Sequence, residues 1–272
     1  MDYAGQREVT QHLPIPASAQ ANPLHAGGVI DLDSTYGGLD ARWGWTCELA
    51  VRALDVAAGI NADRQHQHRT GFENFIGSTL GVRGRLRRDQ QDTVQDVDQF
   101  VQAWWQWSPR WSLLLGARHS AVRFESDDHY IVGRNPDDSG RRRYQATTPV
   151  AGVSFEASPQ WRLHAAAGRG FETPTFNELG YRADDQAGLA LDLSAARSRN
   201  VEVGSEWRAQ DSRQLKISLF RAETDDELAV ASNTNGRSTY RNIGQTHRQG
   251  VELDYRQPLG RSAELQLAWT WP

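Results

Sequence analysis

Hydrophobic and polar residues alternate with a period of two along most of this chain. In VELDYR, the apolar residues Val251, Leu253 and Tyr255 alternate with charged ones. The same alternation recurs in SAELQLAWTW (262–271), NVEVGSEWR (200–208), WRLHAAAGRGF (161–171), LKISLF (215–220) and VDQFVQAWWQW (97–107). Because a period of two sends successive side chains to opposite faces of a strand, these segments are predicted to be strands rather than helices.

The faces opposite the apolar ones carry full charges of both signs, which would be expensive to bury in a dry core. A membrane barrel with a wet interior accommodates both faces, since about 9–11 residues per strand span the bilayer. The pattern predicts eleven strands, at 2–13, 38–46, 48–62, 92–107, 111–126, 142–157, 160–171, 196–208, 213–232, 237–257 and 262–271.

Short and long connections alternate between these strands. The short turns are SPRW (108–111), SPQW (158–161), DSR (211–213) and PLGR (258–261). The long connections are predicted near 14–37, 64–91, 126–141 and 172–196, with a shorter tip at 233–237. Seven tryptophans gather at the short-turn end: Trp43, Trp45, Trp105, Trp107, Trp111, Trp161 and Trp207. An aromatic girdle with short turns on one side is typical of outer-membrane barrels, whose short turns face the periplasm.

Composition and charge exclude several other classes of protein. A formal net charge of -4 and a pI near 6.1, with scattered basic residues, give no reason to expect a nucleic-acid partner. The single cysteine, Cys47, excludes an intrachain disulfide and a multi-cysteine metal site, and is expected to be buried or lipid-facing. No run of 18 apolar residues and no secretory signal are recognisable. No cofactor and no metal site are predicted.

The segment GRGFETPTFNELGYR (168–182), followed by LDLSAARSRNVEVGSEW (191–207), resembles the middle of the barrel in TonB-dependent outer-membrane receptors. GGVIDLDSTYGGLDARW (27–43), WSLLLGARHSAVRF (111–124) and GRSTYRNIGQTHRQGVELDY (236–255) also resemble segments of that family. The resemblance implies structural roles for ten motif residues, namely Gly168, Gly170, Phe171, Pro174, Glu178, Glu202, Gly204, Asn242, Gly250 and Glu252.

The resemblance implies an all-β, antiparallel up-and-down transmembrane β-barrel that is incomplete, with about eleven strands, roughly half of a 22-stranded barrel. Residues 1–272 would be a partial barrel domain without plug domain, signal peptide or closing C-terminal strands, unable to transport alone. The family implies an outer-membrane receptor of a Gram-negative bacterium rather than an enzyme, whose TonB contact runs through the missing plug. Its ligand would be a ferric siderophore or similar iron complex, otherwise a small cofactor. Its other expected partners are outer-membrane lipid and lipopolysaccharide.

Seven arginines on two predicted outward loops are candidates for contacting an anionic ligand: Arg83, Arg85, Arg87, Arg88, Arg141, Arg142 and Arg143. Arginine offers bidentate hydrogen bonds to carboxylates and phosphates. An equally weighted alternative is that they form salt bridges to lipopolysaccharide or to Asp89 and Asp92.

Two other candidate sites are interpreted structurally. Glu172 and Glu178 could be a catalytic carboxylate pair, but their place at the end of a strand favours a role as turn residues. The spacing of His66 and His68 would suit a metal, yet no third ligand is near them, which favours a solvated polar loop.

Two rival classes share part of this pattern. A passive porin-type barrel would show the same alternation and girdle without the GFETP motif. A soluble β-rich carbohydrate-active protein would need the charged faces to be dry and a carboxylate pair to converge.

Overall fold

A computed structural model describes residues 2–11, 18, 28–133, 135–184, 188–234, 237–260 and 262–272. The strands are β1 (Asp2–Gln11), β2 (Val29–Leu49), β3 (Arg52–Phe72), β4 (Phe75–Ile76), β5 (Thr79–Leu80), β6 (Leu86–Ser108), β7 (Trp111–Asp128), β8 (Gly140–Ser158), β9 (Trp161–Glu172), β10 (Ala196–Arg208), β11 (Gln214–Asp225), β12 (Leu228–Thr234), β13 (Arg237–Asn242), β14 (Gln245–Pro258) and β15 (Glu264–Trp271). One short helix, α1 (Phe176–Leu179), lies between β9 and β10.

Eleven of these strands form one antiparallel sheet in the order β1-β2-β3-β6-β7-β8-β9-β10-β11-β14-β15. Each strand pairs with its neighbours in chain order, which is the up-and-down connectivity predicted from the alternation. In the described part of the chain, β1 and β15 each pair on one side only, so the sheet is open between them. The predicted fold class and the predicted number of eleven strands are confirmed. None of the helices in the described ranges is long and apolar enough to cross a membrane.

Several predicted boundaries were wrong, because the strands continue into segments predicted to be loops. β2 begins at Val29 and β3 runs to Phe72, so residues 29–37 and 64–72 form a hydrogen-bonded ladder. β6 already begins at Leu86. The predicted strands 213–232 and 237–257 are each broken, at Asp226 with φ 56° and at Gly244 with φ 81°. Parts of the predicted connections 14–37, 172–196 and 233–237 lie outside the described residues.

Two of the predicted tight turns, SPRW and SPQW, are closed by local hydrogen bonds, whereas the predicted turn 258–261 lies partly outside the described residues. Ser108 Oγ accepts from the backbone N–H groups of Arg110 and Trp111 at 3.4 and 3.1 Å. Ser158 Oγ accepts from those of Gln160 and Trp161 at 3.3 and 3.2 Å. The matching SPRW and SPQW sequences therefore build matching turns.

The sheet has an apolar face and a polar face. Because directly paired residues share a face, the register places Val101, Leu115 and Val203 on one side together with all seven tryptophans of the predicted girdle. Trp43 and Val101 are 54% and 50% exposed, although both are hydrophobic. Asp96 and Asp98 lie on the opposite, polar face.

The main buried cluster lies on the polar face at the long-connection end. It consists of Phe124, Tyr144, Leu179, Ala190, Leu193 and Ala195. The hydroxyl of Tyr144 donates to the carbonyl of Leu193 at 2.8 Å. The connection between β9 and β10 therefore folds back over the polar face and is fastened there.

Candidate functional site

Two of the predicted ligand-binding arginines are held by a buried carboxylate between β3 and β4. Arg85 donates from Nε and Nη2 to the two carboxylate oxygens of Glu73 at 3.0 and 2.9 Å. Arg87 Nη1 lies 3.5 Å from the same carboxylate. The Glu73 side chain is 3% exposed, and the hydrogen bonds from Arg85 lower the pKa of Glu73 despite its burial. Arg85 and Arg87 thus neutralise a structural acid.

Arg83 stacks over an aromatic ring at the same end. Its guanidinium carbon lies 3.6 Å from the centroid of Phe72. Its Nη1 is 3.6 Å from Oδ2 of Asp31, a carboxylate that Arg7 binds more closely, at 3.1 and 2.9 Å. The Arg83 side chain remains about half exposed.

Arg88 lies on the polar face, next to a second arginine that the sequence did not single out. The register pairs Arg88 with Gly71 and places Arg69 two residues away on the same face. The Arg88 guanidinium lies 5.0 Å from the ring centroid of Tyr181. Nε of Arg69 and Nη1 of Arg88 are buried, and neither has a hydrogen-bond partner among the residues described. An unpartnered buried donor is costly, so these two nitrogens each keep an unused hydrogen-bond donor on the polar face.

Arg141, Arg142 and Arg143 lie in strand β8, not in a loop as predicted. Strand alternation divides them between the two faces. Arg142 shares the polar face with Tyr144, with 5.5 Å between its guanidinium carbon and the ring centroid. Alternation directs Arg141 and Arg143 to the opposite side, although all three arginines line one hollow of about 740 Å³.

A hollow of about 500 Å³ lies lower on the polar face. Arg42 and Arg118 both lie 5.8 Å from the ring centroid of Phe100. Arg118 Nε also lies 3.5 Å from Oδ2 of Asp98, and Arg169 lines the same hollow. Sequence analysis missed these arginines because they stand singly on separate strands. Arg42 and Arg118 stand at polar positions of the alternation, which is the signal that could have found them. Arg169 follows Ala165 and Ala167 at an apolar position, so alternation does not indicate it.

The carboxylates that suggested catalysis do not converge on a site. Glu178 accepts from the N–H and the hydroxyl of Thr175 at 2.7 and 3.0 Å. Thr175 Oγ1 accepts in return from the N–H of Glu178 at 3.4 Å, which completes a capping box at the start of α1. Glu172 is the last residue of β9. The turn interpretation of Glu178 agrees with this geometry.

The other motif residues support the sheet and the connection above it. A Cβ on Gly204 would lie 2.4 Å from the His164 ring, and one on Gly250 would lie 2.4 Å from a backbone oxygen. His164 Nε2 is hydrogen-bonded to Glu202 at 2.9 Å. Gly168 and Gly170 lie in β9, and Gly250 lies in β14. Phe171 packs against the buried cluster, and Pro174 is fully buried. Glu252 pairs with Ser218 of β11 and Thr270 of β15.

Asn242 ties the β9–β10 connection to the hairpin formed by β12 and β13. Its side chain accepts from the N–H of Ser194 at 2.9 Å and donates to the carbonyls of Ser194 and Asp226 at 3.0 and 2.7 Å. The Asn242 side-chain amide therefore links the β9–β10 connection at Ser194 to the turn between β11 and β12 at Asp226.

His66 and His68 lie in β3 rather than in the predicted loop, and they share one face. His66 Nδ1 is 3.1 Å from Thr93 Oγ1, and His68 Nε2 is 2.8 Å from Asp89 Oδ1. The described residues contain no group of three or more potential metal ligands. Cys47 is exposed on the apolar face.

The family model described as TonB dependent receptor-like, beta-barrel matches residues 3–271. The chain belongs to this family. It is 27% identical over 156 residues to lactoferrin-binding protein A of Neisseria meningitidis serogroup A, covering 51% of this chain and 16% of the relative. It is 24% identical over 167 residues to the metal-pseudopaline receptor CntO of Pseudomonas aeruginosa, covering 61% of this chain and 22% of the relative.

Among solved structures, the chain is similar to the siderophore receptor PiuA from Acinetobacter baumannii, with a TM-score of 0.68 and 15% identity. The similarity covers 89% of this chain and 39% of that structure. The matched region therefore spans less than half of each of these proteins.

Membership of the TonB-dependent receptor family confirms the resemblance and places the chain in the outer membrane of a Gram-negative bacterium. The family consists of transport receptors rather than enzymes, and the porin and carbohydrate-protein alternatives are not favoured. The apolar face is accordingly the lipid face, the polar face lines the barrel interior, and the long connections lie at the extracellular end.

Proposed function

We propose that this chain forms part of the barrel of a receptor that takes up a scarce metal chelate of the ferric-siderophore type by TonB-coupled transport. The observation that carries the proposal is a pair of buried guanidinium nitrogens, Nε of Arg69 and Nη1 of Arg88, which have no hydrogen-bond partner among the described residues and lie at the long-connection end of the polar face. The names of the metal-pseudopaline receptor and the siderophore receptor support a metal chelate as the ligand class.

The chemistry of such ligands fits the interior face. Metal chelates of this type present carboxylate or phenolate oxygens, which guanidinium groups bind through short, charge-assisted hydrogen bonds. Arg142 is a third candidate contact because it lies on the same face. The proposal includes two further partners, the TonB complex as the source of energy and lipopolysaccharide as a neighbour of the lipid face.

Uptake by whole cells tests the proposal. The complete reading frame that contains this chain is expressed in cells with and without TonB, and radiolabelled ferric catecholates, hydroxamates and carboxylates are supplied at nanomolar concentration. At least one chelate is expected to accumulate only in cells that contain TonB. Accumulation that is independent of TonB would instead indicate a passive channel, and accumulation of none would contradict the ligand class.

Substitutions test the assigned residues separately. In the same protein, Arg69→Gln and Arg88→Gln are each expected to weaken chelate binding by roughly tenfold or more, the value of one charge-assisted hydrogen bond. Arg208→Gln is the matched control, because Arg208 pairs with Glu206 at 2.8 Å at the periplasmic end. Unchanged affinity in both interior variants would refute these contacts while leaving TonB-coupled uptake intact.

A further inference from the structure

Acidic residues surround the two arginines on the polar face at the long-connection end. The register places Arg69 of β3, Gln90 of β6 and Asp128 of β7 in one row across the sheet. Arg88 and Asp92 stand two residues to either side of Gln90 on β6, so strand alternation puts them on the same face. We call Arg69, Arg88, Gln90, Asp92 and Asp128 the charged cluster.

Asp92 brings a buried negative charge into the charged cluster. Its residue is 1% exposed, and Gln90 Nε2 donates to both of its carboxylate oxygens, at 2.8 and 2.7 Å. Within the described ranges, Asp92 forms no ion pair. A buried carboxylate without an ion pair is costly, and a neutral amide oxygen could also accept from Gln90. The contact with Gln90 therefore does not require the charge of Asp92.

The charge of Asp92 acts on the site that holds the unused donors. Asp92 stands diagonally across from Arg69, because Gln67 is its direct partner in the register. Diagonal neighbours in a sheet lie about 7–8 Å apart, within electrostatic reach. Burial lowers the pKa of Arg69 and the charge of Arg88 lowers it further, whereas Tyr181 and Asp92 raise it. Asp92 thus offsets part of the positive potential at the two arginines.

A further acid reaches Arg88 from the β7–β8 connection. Asp128 Oδ2 accepts from the backbone N–H of Asp138 at 3.2 Å, which holds Asp138 beside the charged cluster. Burial and the neighbouring Asp128 raise the pKa of Asp138, whereas Arg88 and the amide of Gly188 lower it. Two guanidinium groups therefore share this place with three carboxyl groups, and the site is not strongly cationic.

We propose that the charged cluster selects metal chelates that expose a carboxylate but carry little net negative charge, and that Asp92 is the residue that sets this limit. The unused donors of Arg69 and Arg88 bind the carboxylate oxygens. Each further negative charge on the chelate is repelled by Asp92. At about 10 Å and an effective dielectric constant of about 20, this repulsion weakens binding by about tenfold per charge. The inference rests on the proposed function and narrows its ligand class.

The test uses the protein from the complete reading frame, extracted in mild detergent. Quenching of tryptophan fluorescence measures the binding of two iron(III) complexes, a monoanionic aminopolycarboxylate complex and a trianionic tricatecholate complex. Asp92→Asn removes the buried charge, and Asp138→Asn removes the acid in the connection, outside the sheet. The control variant is Asp254→Asn, because Asp254 lies on the polar face at the short-turn end, where it accepts from Arg256 at 3.2 Å. Heat-modifiable migration on a gel checks that each variant is folded.

The native protein is expected to bind the monoanionic complex roughly tenfold or more tightly than the trianionic one. Asp92→Asn should reduce this preference by roughly tenfold, Asp138→Asn should reduce it in the same direction, and Asp254→Asn should keep it. A native preference for the tricatecholate, binding of neither complex, or a preference that neither Asp92→Asn nor Asp138→Asn alters would each overturn the inference.

Cellular uptake separates this inference from the proposed function. A tricatecholate complex that accumulates in preference to the aminopolycarboxylate complex, and only in cells with TonB, would overturn the charge limit and leave TonB-coupled chelate uptake intact. Accumulation of the aminopolycarboxylate complex without TonB would instead count against the proposed function alone.

Discussion

Replacing Tyr144 by phenylalanine should loosen the connection between β9 and β10 without disturbing the sheet. Tyr144 is 6% exposed, and its hydroxyl donates to the buried carbonyl of Leu193 at 2.8 Å. Its ring packs edge-on against Phe124 with 5.9 Å between centroids. Tyr144→Phe keeps this ring contact and removes only the hydroxyl.

The free-energy cost of Tyr144→Phe comes from the Leu193 carbonyl, which loses its hydrogen-bond donor. A buried carbonyl that loses its partner costs about 1–2 kcal/mol, more than the net value of an ordinary hydrogen bond. That free energy raises the population of the open connection by a factor of roughly 5 to 30. The amides of Ala190 and Leu193, bonded to Leu179 and Ala190 at 2.8 and 3.2 Å, report such opening.

Hydrogen–deuterium exchange of residues 188–195 is the assay, and exchange there should accelerate by roughly the same factor of 5 to 30. Tyr255→Phe is the control, because the Tyr255 hydroxyl bonds Gln257 at 2.9 Å, far along the chain from this connection. Unaltered exchange in Tyr144→Phe would show that the Tyr144–Leu193 bond does not fasten the connection.

Three further predictions concern the supporting residues. Gly204→Ala should destabilise the folded barrel by about 1–3 kcal/mol, since the new Cβ would lie 2.4 Å from the His164 ring; a urea midpoint equal to that of the native protein would contradict it. The pKa of Glu73 is lowered by Arg85, so the stabilisation that Glu73 gives the β3–β6 connection is full above the ordinary Glu value near 4.5 and is lost as the pH falls through the lower folded value. Amide protection factors in this connection, corrected for the intrinsic pH dependence of exchange, should fall below pH 4.5, and protection factors that do not change with pH would refute the linkage. Asn242→Ala should release the β9–β10 connection around Ser194 and raise protease cleavage in that connection. A cleavage pattern like that of the native protein would argue against this role.

The strands and short turns could be predicted because their signals are local. Alternation reports which face meets lipid, and each SPxW segment carries its own turn acceptor, Ser108 or Ser158. Neither depends on knowing the partner strand. The eleven-stranded sheet followed from these local signals alone.

The extracellular extensions of the strands could not be predicted in the same way. Beyond Leu39 and Ala62, β2 and β3 continue as a paired ladder, but His66 and His68 occupy the face that is apolar lower down. Outside the bilayer neither face needs to be apolar, so the period-two signal disappears while the backbone hydrogen bonds persist. Without that signal, the polar segments 29–37 and 64–72 are predicted as loops although they are strands.

The arginine assignments show what register adds to sequence. RRRY reads as one basic cluster, yet a strand sends Arg142 to the interior and Arg141 and Arg143 to the lipid face. The two predicted alternatives for this cluster, an anionic ligand and lipopolysaccharide, therefore have to be tested residue by residue. Arg69 and Arg88 show the opposite case. They are distant in the chain and become neighbours on one face only through the pairing of β3 with β6. Charge clusters on strands consequently have to be assigned by face and by row, because sequence proximity joins residues that point apart and separates residues that meet.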